Sequence, residues 1–76
     1  MKVVEIHREP IELYRLLKFE GLASSGGEAK NVIAEGLVSV NGDRETRKRR
    51  KILVGDIVEF AGERIQVVLA EEAAPE

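Results

Sequence analysis

Apolar residues recur at helical spacing in the first half of the chain and alternate in the second. Within IELYRLLKFEG, Leu13, Leu16 and Leu17 form one stripe with Ile11 and Phe19 at its margins, while Glu12, Arg15, Lys18 and Glu20 fall mostly elsewhere. Pro10 suits the start of this helix, because its fixed φ matches the first turn and its missing N–H is not needed there. Gly21 is placed to end it in a left-handed C-cap. A second helix has a clearer start. Ser25 followed by Glu28 matches a capping box, in which the serine oxygen accepts an N–H in the first turn and the glutamate returns to the cap's own N–H. Its buried stripe is Ala29, Val32 and Ile33, its outward residues are Lys30, Asn31 and Glu35, and Gly36 closes it. Gly26 and Gly27 lower helix propensity by roughly 1 kcal/mol each relative to alanine. They leave the helix start open to a partner, or serve only a tight turn.

Before the helices, KVVEI at 2–6 reads as a short edge strand. After Leu37 the period becomes two. Val38 and Val40 oppose Ser39, and Asn41-Gly42 predicts a type I′ hairpin. Glu45 to Lys51 has no apolar residue at alternate positions, so it is an exposed strand or an ordered loop. Ile52 and Val54 restore the pattern, Gly55-Asp56 turns, and Ile57, Val58 and Phe60 follow. Gly62-Glu63 is the next candidate turn, before Ile65, Val67 and Leu69 alternate inward. The expected fold is α+β: two helices packed on one face of a small, mostly antiparallel sheet. Residues 1–70 form a single domain and 71–76 (EEAAPE) an acidic flexible tail.

Composition narrows the chemistry. A chain of 76 residues holds one core. The absence of cysteine and the presence of one histidine exclude a disulfide scaffold, a thiol nucleophile and a zinc finger. No stretch approaches the roughly 20 apolar residues of a membrane span. The N-terminal residues lack a signal-peptide pattern, so a cytoplasmic protein is expected. The totals, 12 basic against 14 acidic residues for a net charge of -2, lean away from nucleic acid. Their placement leans the other way. Arg44, Arg47, Lys48, Arg49, Arg50 and Lys51 supply half of the positive charge within a few residues, whereas 56–76 holds one basic residue, Arg64. Like charges crowded together favour exposure and a negative partner.

Little else supports a reaction. His7 has no serine or cysteine nucleophile beside it, the acids show no metal-ligand spacing, and SSGGEAK fails the phosphate-loop pattern because it lacks the Lys-Ser or Lys-Thr ending and follows no strand. The physical basis of anion binding survives in weaker form. Ser24, Ser25, Gly26 and Gly27 present backbone N–H groups at a helix start, where the dipole favours negative charge, and Lys30 lies about one turn on. If the basic run were one strand, alternation would separate Arg47, Arg49 and Lys51 from Lys48 and Arg50. Ile52 pointing inward makes Arg47, Arg49 and Lys51 the favoured contact set.

The run LLKFEGLASSGGEAKNVIAEGLVSVNG, followed by basic residues and KILVGDIVEF, resembles the S4 RNA-binding domain, and within it the small stand-alone S4-like proteins of bacteria. The resemblance spans about 11–60 and rests on the combined spacing of a leucine pair, a small-residue turn, Glu-Ala-Lys, Val-x-Val-Asn-Gly and Gly-Asp. It implies an S4-like fold built on the two-helix αL motif, and non-catalytic binding of structured RNA, ribosomal RNA or a ribosome-assembly intermediate. Carried onto this chain, the implied RNA-binding residues are Ser24, Ser25, Gly26, Gly27 and Lys30 at the helix start. The basic segment adds Arg44, Arg47, Lys48, Arg49, Arg50 and Lys51. Many S4 domains place an arginine directly after the serine of the turn, where this chain has Gly26. No cofactor, membrane or small-molecule substrate is expected, and a monomer is. The competing reading is a ribosome-associated or protein-interaction adaptor whose basic patch meets an acidic protein surface.

Overall fold

The computed structural model describes residues 1–70; the acidic tail expected at 71–76 lies outside the described residues. Two helices follow the leucine and alanine/isoleucine stripes. Helix α1 spans Leu13–Phe19 and α2 spans Gly26–Ala34. Leu13, Leu16 and Leu17 of α1 and Ala29 and Ile33 of α2 are buried, so the stripe residues do face the core. Val32 is only partly buried.

The strands are β1 (Lys2–Ile6), β2 (Ile11–Glu12), β3 (Val38–Val40), β4 (Asp43–Arg44), β5 (Lys51–Ile52), β6 (Ile57–Phe60) and β7 (Glu63–Leu69). Five form one sheet in the order β1-β7-β6-β3-β4. β1 is the edge strand its sequence suggested. It runs parallel to β7, with Val4 opposite Val67, whereas the other three pairings are antiparallel. The inward residues Val4, Val38, Val40, Val58, Ile65 and Val67 meet the helix stripes in one aliphatic core. The fold is therefore the α+β arrangement expected, with one addition. β2 and β5 form a separate two-stranded antiparallel sheet, with Ile11 opposite Ile52 and Glu12 opposite Lys51.

That small sheet corrects the start of α1. Pro10 is not its first residue. Ile11 and Glu12 are extended against β5, and the helix begins only at Leu13. Long-range pairing outweighs the local preference of proline for a first turn. A second correction concerns the last hairpin. Phe60 pairs with Glu63, so Ala61 (φ 55°) and Gly62 (φ 83°) are the turn residues, rather than Gly62 and Glu63. Asn41 (φ 53°) and Gly42 (φ 89°) make the equivalent turn as expected, with positive φ at both central residues. Third, Leu69 is exposed. The β6 ladder reaches only as far as Gln66 of β7, so the end of β7 has a strand on one side alone.

Both helices end in a Schellman arrangement. Gly21 N–H donates to Lys18 O (3.0 Å) and Leu22 N–H to Leu17 O (2.9 Å); Gly36 N–H donates to Ile33 O (2.9 Å) and Leu37 N–H to Val32 O (3.1 Å). Gly21 (φ 75°) and Gly36 (φ 79°) are left-handed. A side chain at Gly21 would meet nothing within 4 Å, but at Gly36 its Cβ would lie 3.0 Å from Cδ of Arg44. Gly21→Ala and Gly36→Ala are each expected to cost about 1–2 kcal/mol from the left-handed backbone, measured by urea unfolding. Only Gly36→Ala should also shift the amide and side-chain NMR signals of Arg44.

Candidate nucleic-acid interface

The first N–H groups of a helix need acceptors, and the N-cap residue of α1, Glu12, supplies none from its side chain. The basic segment does. Leu13 N–H donates to Arg50 O (2.9 Å) and Tyr14 N–H to Lys48 O (3.1 Å). The segment after β4 is thus an ordered loop, docked by its backbone on the start of α1, with β5 carrying it on into the pairing with β2.

What holds the loop in this shape is Glu45. It is 6% exposed, the one charged residue in the core set among the described residues. Its carboxylate accepts from Arg47 N–H (2.8 Å), Arg47 Nε (2.9 Å), Arg47 Nη2 (3.0 Å) and Arg50 Nη1 (2.8 Å). The hydrogen bonds from Arg47 dominate over the opposing effect of burial, and those from Arg50 add to them. Together they pull the carboxyl pKa from 4.5 down to about 2. A buried acid inside a basic run is thereby fully partnered.

Strand alternation does not apply to the basic residues, because only Lys51 of the run lies in a strand. Arg47, Arg49 and Lys51 do not form one face separate from Arg50; all four line the same shallow groove. Within it their roles divide. Arg47 and Arg50 are tied to Glu45, although the Arg47 side chain remains 73% exposed. Arg49 instead turns toward α1, with its Nη1 3.6 Å from Glu12 Oε2. Lys48 and Lys51 are exposed.

Tyr14 joins this loop to the second helix. The Lys30 ammonium is 4.6 Å from the ring centroid, the Arg49 guanidinium 5.5 Å and the Arg15 guanidinium 5.7 Å. These distances place three cations, from α2, the loop and α1, within cation–π range of one ring. Arg15 Nε also donates to Glu12 Oε1 (3.2 Å) and to the Tyr14 hydroxyl (3.3 Å). Gly26 lies against the same ring, since a Cβ there would sit 3.7 Å from Tyr14 Cε2. At Gly26, this chain thus has a tyrosine in contact and positive charge arriving from Lys30, Arg15 and Arg49.

The turn before α2 is only half the box expected. Glu28 N–H donates to Ser25 Oγ (3.1 Å). The Glu28 carboxylate does not return to Ser25, however; it accepts from Ser24 N–H (2.8 Å) and Ser24 Oγ (2.5 Å). Those bonds, the hydroxyl's first, lower its pKa. The donors of Ser24 are therefore already engaged by an internal anion, and Gly26 and Gly27 carry the open N–H groups of this helix start. Arg44 stands apart. Its stem crosses Gly36 at the opposite end of α2, about 15 Å along the helix from Gly26.

The structure thus gathers Gly26, Arg15, Lys30 and Arg49 around Tyr14, joins Arg49 to the groove of Arg47, Arg50 and Lys51, and leaves Arg44 outside. Sequence reasoning missed Tyr14, Arg15, Glu12 and Glu45. Tyr14 stands next to Leu13 of the leucine stripe, and no local pattern marks it. Glu45 did carry a signal, as a lone acid two residues ahead of Arg47. Among the described residues no group of three or more His, Asp or Glu side chains is arranged to hold a metal ion, and no helix is long and apolar enough to cross a membrane.

The Glu45 cluster makes a pH-dependent contribution to stability. Its folded pKa is depressed, so the contribution is complete above about pH 4.5 and is lost as pH falls toward 2. Glu45→Gln should cost about 1–3 kcal/mol at pH 7. In urea titrations the gap between wild type and variant should narrow steadily below pH 4.5.

Comparison with known proteins agrees with this architecture. The sequence profile of the S4 domain matches residues 4–68. A protein named for RNA binding, YbcJ of Escherichia coli (strain K12), is 57% identical over 58 residues, covering 76% of this chain and 83% of that protein. A protein named for ribosome maturation, RlbA of Bacillus subtilis (strain 168), is 41% identical over 59 residues, covering 78% and 83%. The solution structure of YbcJ, whose αL motif is described as involved in RNA binding, superposes with a TM-score of 0.62 at 51% identity over 88% of this chain and 84% of that one. With the helix pair, the sheet and the profile in agreement over most of its length, the chain belongs to the S4 domain family.

Proposed function

We propose that this chain binds folded RNA, specifically ribosomal RNA or a ribosome-assembly intermediate, as a cytoplasmic monomer and without catalysing a reaction. The observation that carries this reading is the docking of the basic loop on the start of α1. It gives one surface four cations, Arg47, Arg49 and Arg50 of the loop and Lys51 of β5, beside Lys30 and the N–H groups of Gly26 and Gly27. The S4 relatives named for RNA binding and ribosome maturation support it.

The contacts follow from the side chains. Exposed arginines engage two phosphate oxygens at once, and lysines act as point charges. Such contacts position an RNA without reading its sequence. A duplex or sharply folded RNA suits a surface whose cations come from two helices and a loop, since phosphates of two strands or of a bend reach it together. The acidic remainder of the molecule, including Glu59 and Glu63 on β6 and β7, disfavours approach by other faces.

Crosslinking and sequencing of bound RNA from cells should give discrete structured sites in wild type. They should weaken in the Arg47→Ala, Arg49→Ala, Lys51→Ala triple variant. Unchanged crosslinks, or none above background, would overturn the reading. With a recovered target, affinity should fall steeply as salt rises. Arg49→Ala and Lys30→Ala should each lower the slope of log affinity against log salt by about 0.7–0.9, the value of one phosphate contact. Arg44→Ala, outside the cluster, should leave that slope unchanged.

A further inference from the structure

A second concave surface lies on the other side of Tyr14; of the residues already placed at the basic surface, only Glu12, Tyr14, Arg15 and Gly26 line it. It is an open groove of about 960 Å³ between α1 and the segment that leaves β1. Two of the chain's three aromatic residues, Tyr14 and Phe19, line it. Phe19 is 64% exposed. Its ring does not stand alone: Pro10, Ile11 and Tyr14 line the same groove, and a contiguous apolar surface rimmed by polar groups is informative where a single exposed side chain is not. Arg15 stands one helical turn before Phe19 on the same face of α1, and Lys18 stands one turn after Tyr14. His7 and Arg8 come from the opposite wall. The acids present are Glu5 and Glu12, and both oxygens of Glu12 are already engaged, Oε1 by Arg15 and Oε2 by Arg49. The groove is thus an apolar floor with an excess of positive charge at its rim. It is continuous with the basic surface through Tyr14 and Gly26.

We infer that this groove takes an unpaired nucleotide of the bound RNA, its base on the Phe19 ring and its phosphate at Arg8, Arg15 and Lys18. Apolar surface alone would suit many partners. The cationic rim, and the direct passage from the loop that meets the phosphates, select a nucleic-acid strand continuing out of a helical segment. An aromatic face accepts any base, so the groove adds affinity for a junction or an overhang rather than for a particular sequence. The inference rests on the RNA-binding reading above, but concerns a different surface, shared with the first only along Glu12, Tyr14, Arg15 and Gly26.

The test uses the full chain and two synthetic RNAs, a blunt-ended hairpin and the same hairpin with five unpaired adenosines at either end. Wild type should bind an extended hairpin between about fivefold and a hundredfold more tightly than the blunt one, the range expected for one stacked base. Phe19→Ala should abolish that increment while leaving blunt-hairpin affinity as it was, and Phe19→Trp should keep it. Circular dichroism of Phe19→Ala would establish that the variant folds. Nuclear Overhauser contacts from adenine H2 or H8 to the Phe19 ring should appear with the extended RNA. Equal wild-type affinity for all the hairpins, or an increment that survives Phe19→Ala, would overturn the groove assignment while the basic surface stood. Failure to bind any hairpin, or binding insensitive to Arg49→Ala, would instead overturn the underlying reading, and the groove assignment with it.

Discussion

The interaction on which the rest of the structure depends is the capping of α1 by the backbone of the basic loop. A helix of seven residues has few internal hydrogen bonds, and its orphan N–H groups form a large fraction of its polar backbone. Lys48 and Arg50 satisfy two of them with their carbonyls. The same two bonds hold a segment that would otherwise be six exposed residues of mostly like charge. Helix and loop therefore stabilise each other. Glu45 supplies the second anchor: by drawing Arg47 and Arg50 onto one buried carboxylate, it offsets their repulsion and fixes the loop's course. The loop's peptide groups serve the fold, which leaves several of its side chains for a partner.

Tyr14 then converts a capped helix into a shared surface. Its ring is the meeting point of Lys30, Arg15 and Arg49, which come from three separate elements. Each cation gains only modestly from the ring at so exposed a site. More consequential is position, since long side chains that would otherwise sample many rotamers are gathered near Gly26 and the start of α2. Gly26 lies beside the ring, where a Cβ would only reach van der Waals contact with it. The missing arginine at this position is thus accompanied by a rearrangement of charge rather than a simple loss of it.

Much of the fold was legible in the sequence because its signals are local. The leucine stripe, Gly21 and Gly36 as helix ends, Ser25 as N-cap and Asn41-Gly42 as a two-residue turn each depend on the conformational preferences of a few neighbouring residues. The misreadings share the opposite cause. Pro10 looked like a helix start because the pairing of Ile11 with Ile52 is not visible locally. The Ala61-Gly62 turn was placed one residue late because register, not composition, decides which residue follows the last pair. Of the two readings of 45–51, the ordered loop holds and the alternating strand does not, because the backbone of 48 and 50 is occupied by a helix far away in sequence.

The sequence by itself determined the class of the domain, most of its core and the place where positive charge accumulates against an acidic total. Those properties are sums over residue types and short spacings, which folding does not change. Only the tertiary structure decided how that charge is divided. It committed Arg47 and Arg50 to a buried carboxylate, turned Arg49 toward Tyr14, and set Arg44 at the far end of α2. It also left Phe19 uncovered above a groove that no linear pattern announces. The physical reason is range. Helix and turn propensities act over three or four residues, whereas the acceptors that α1 needs lie some 35 positions along the chain and are brought to it only by closure of the whole core.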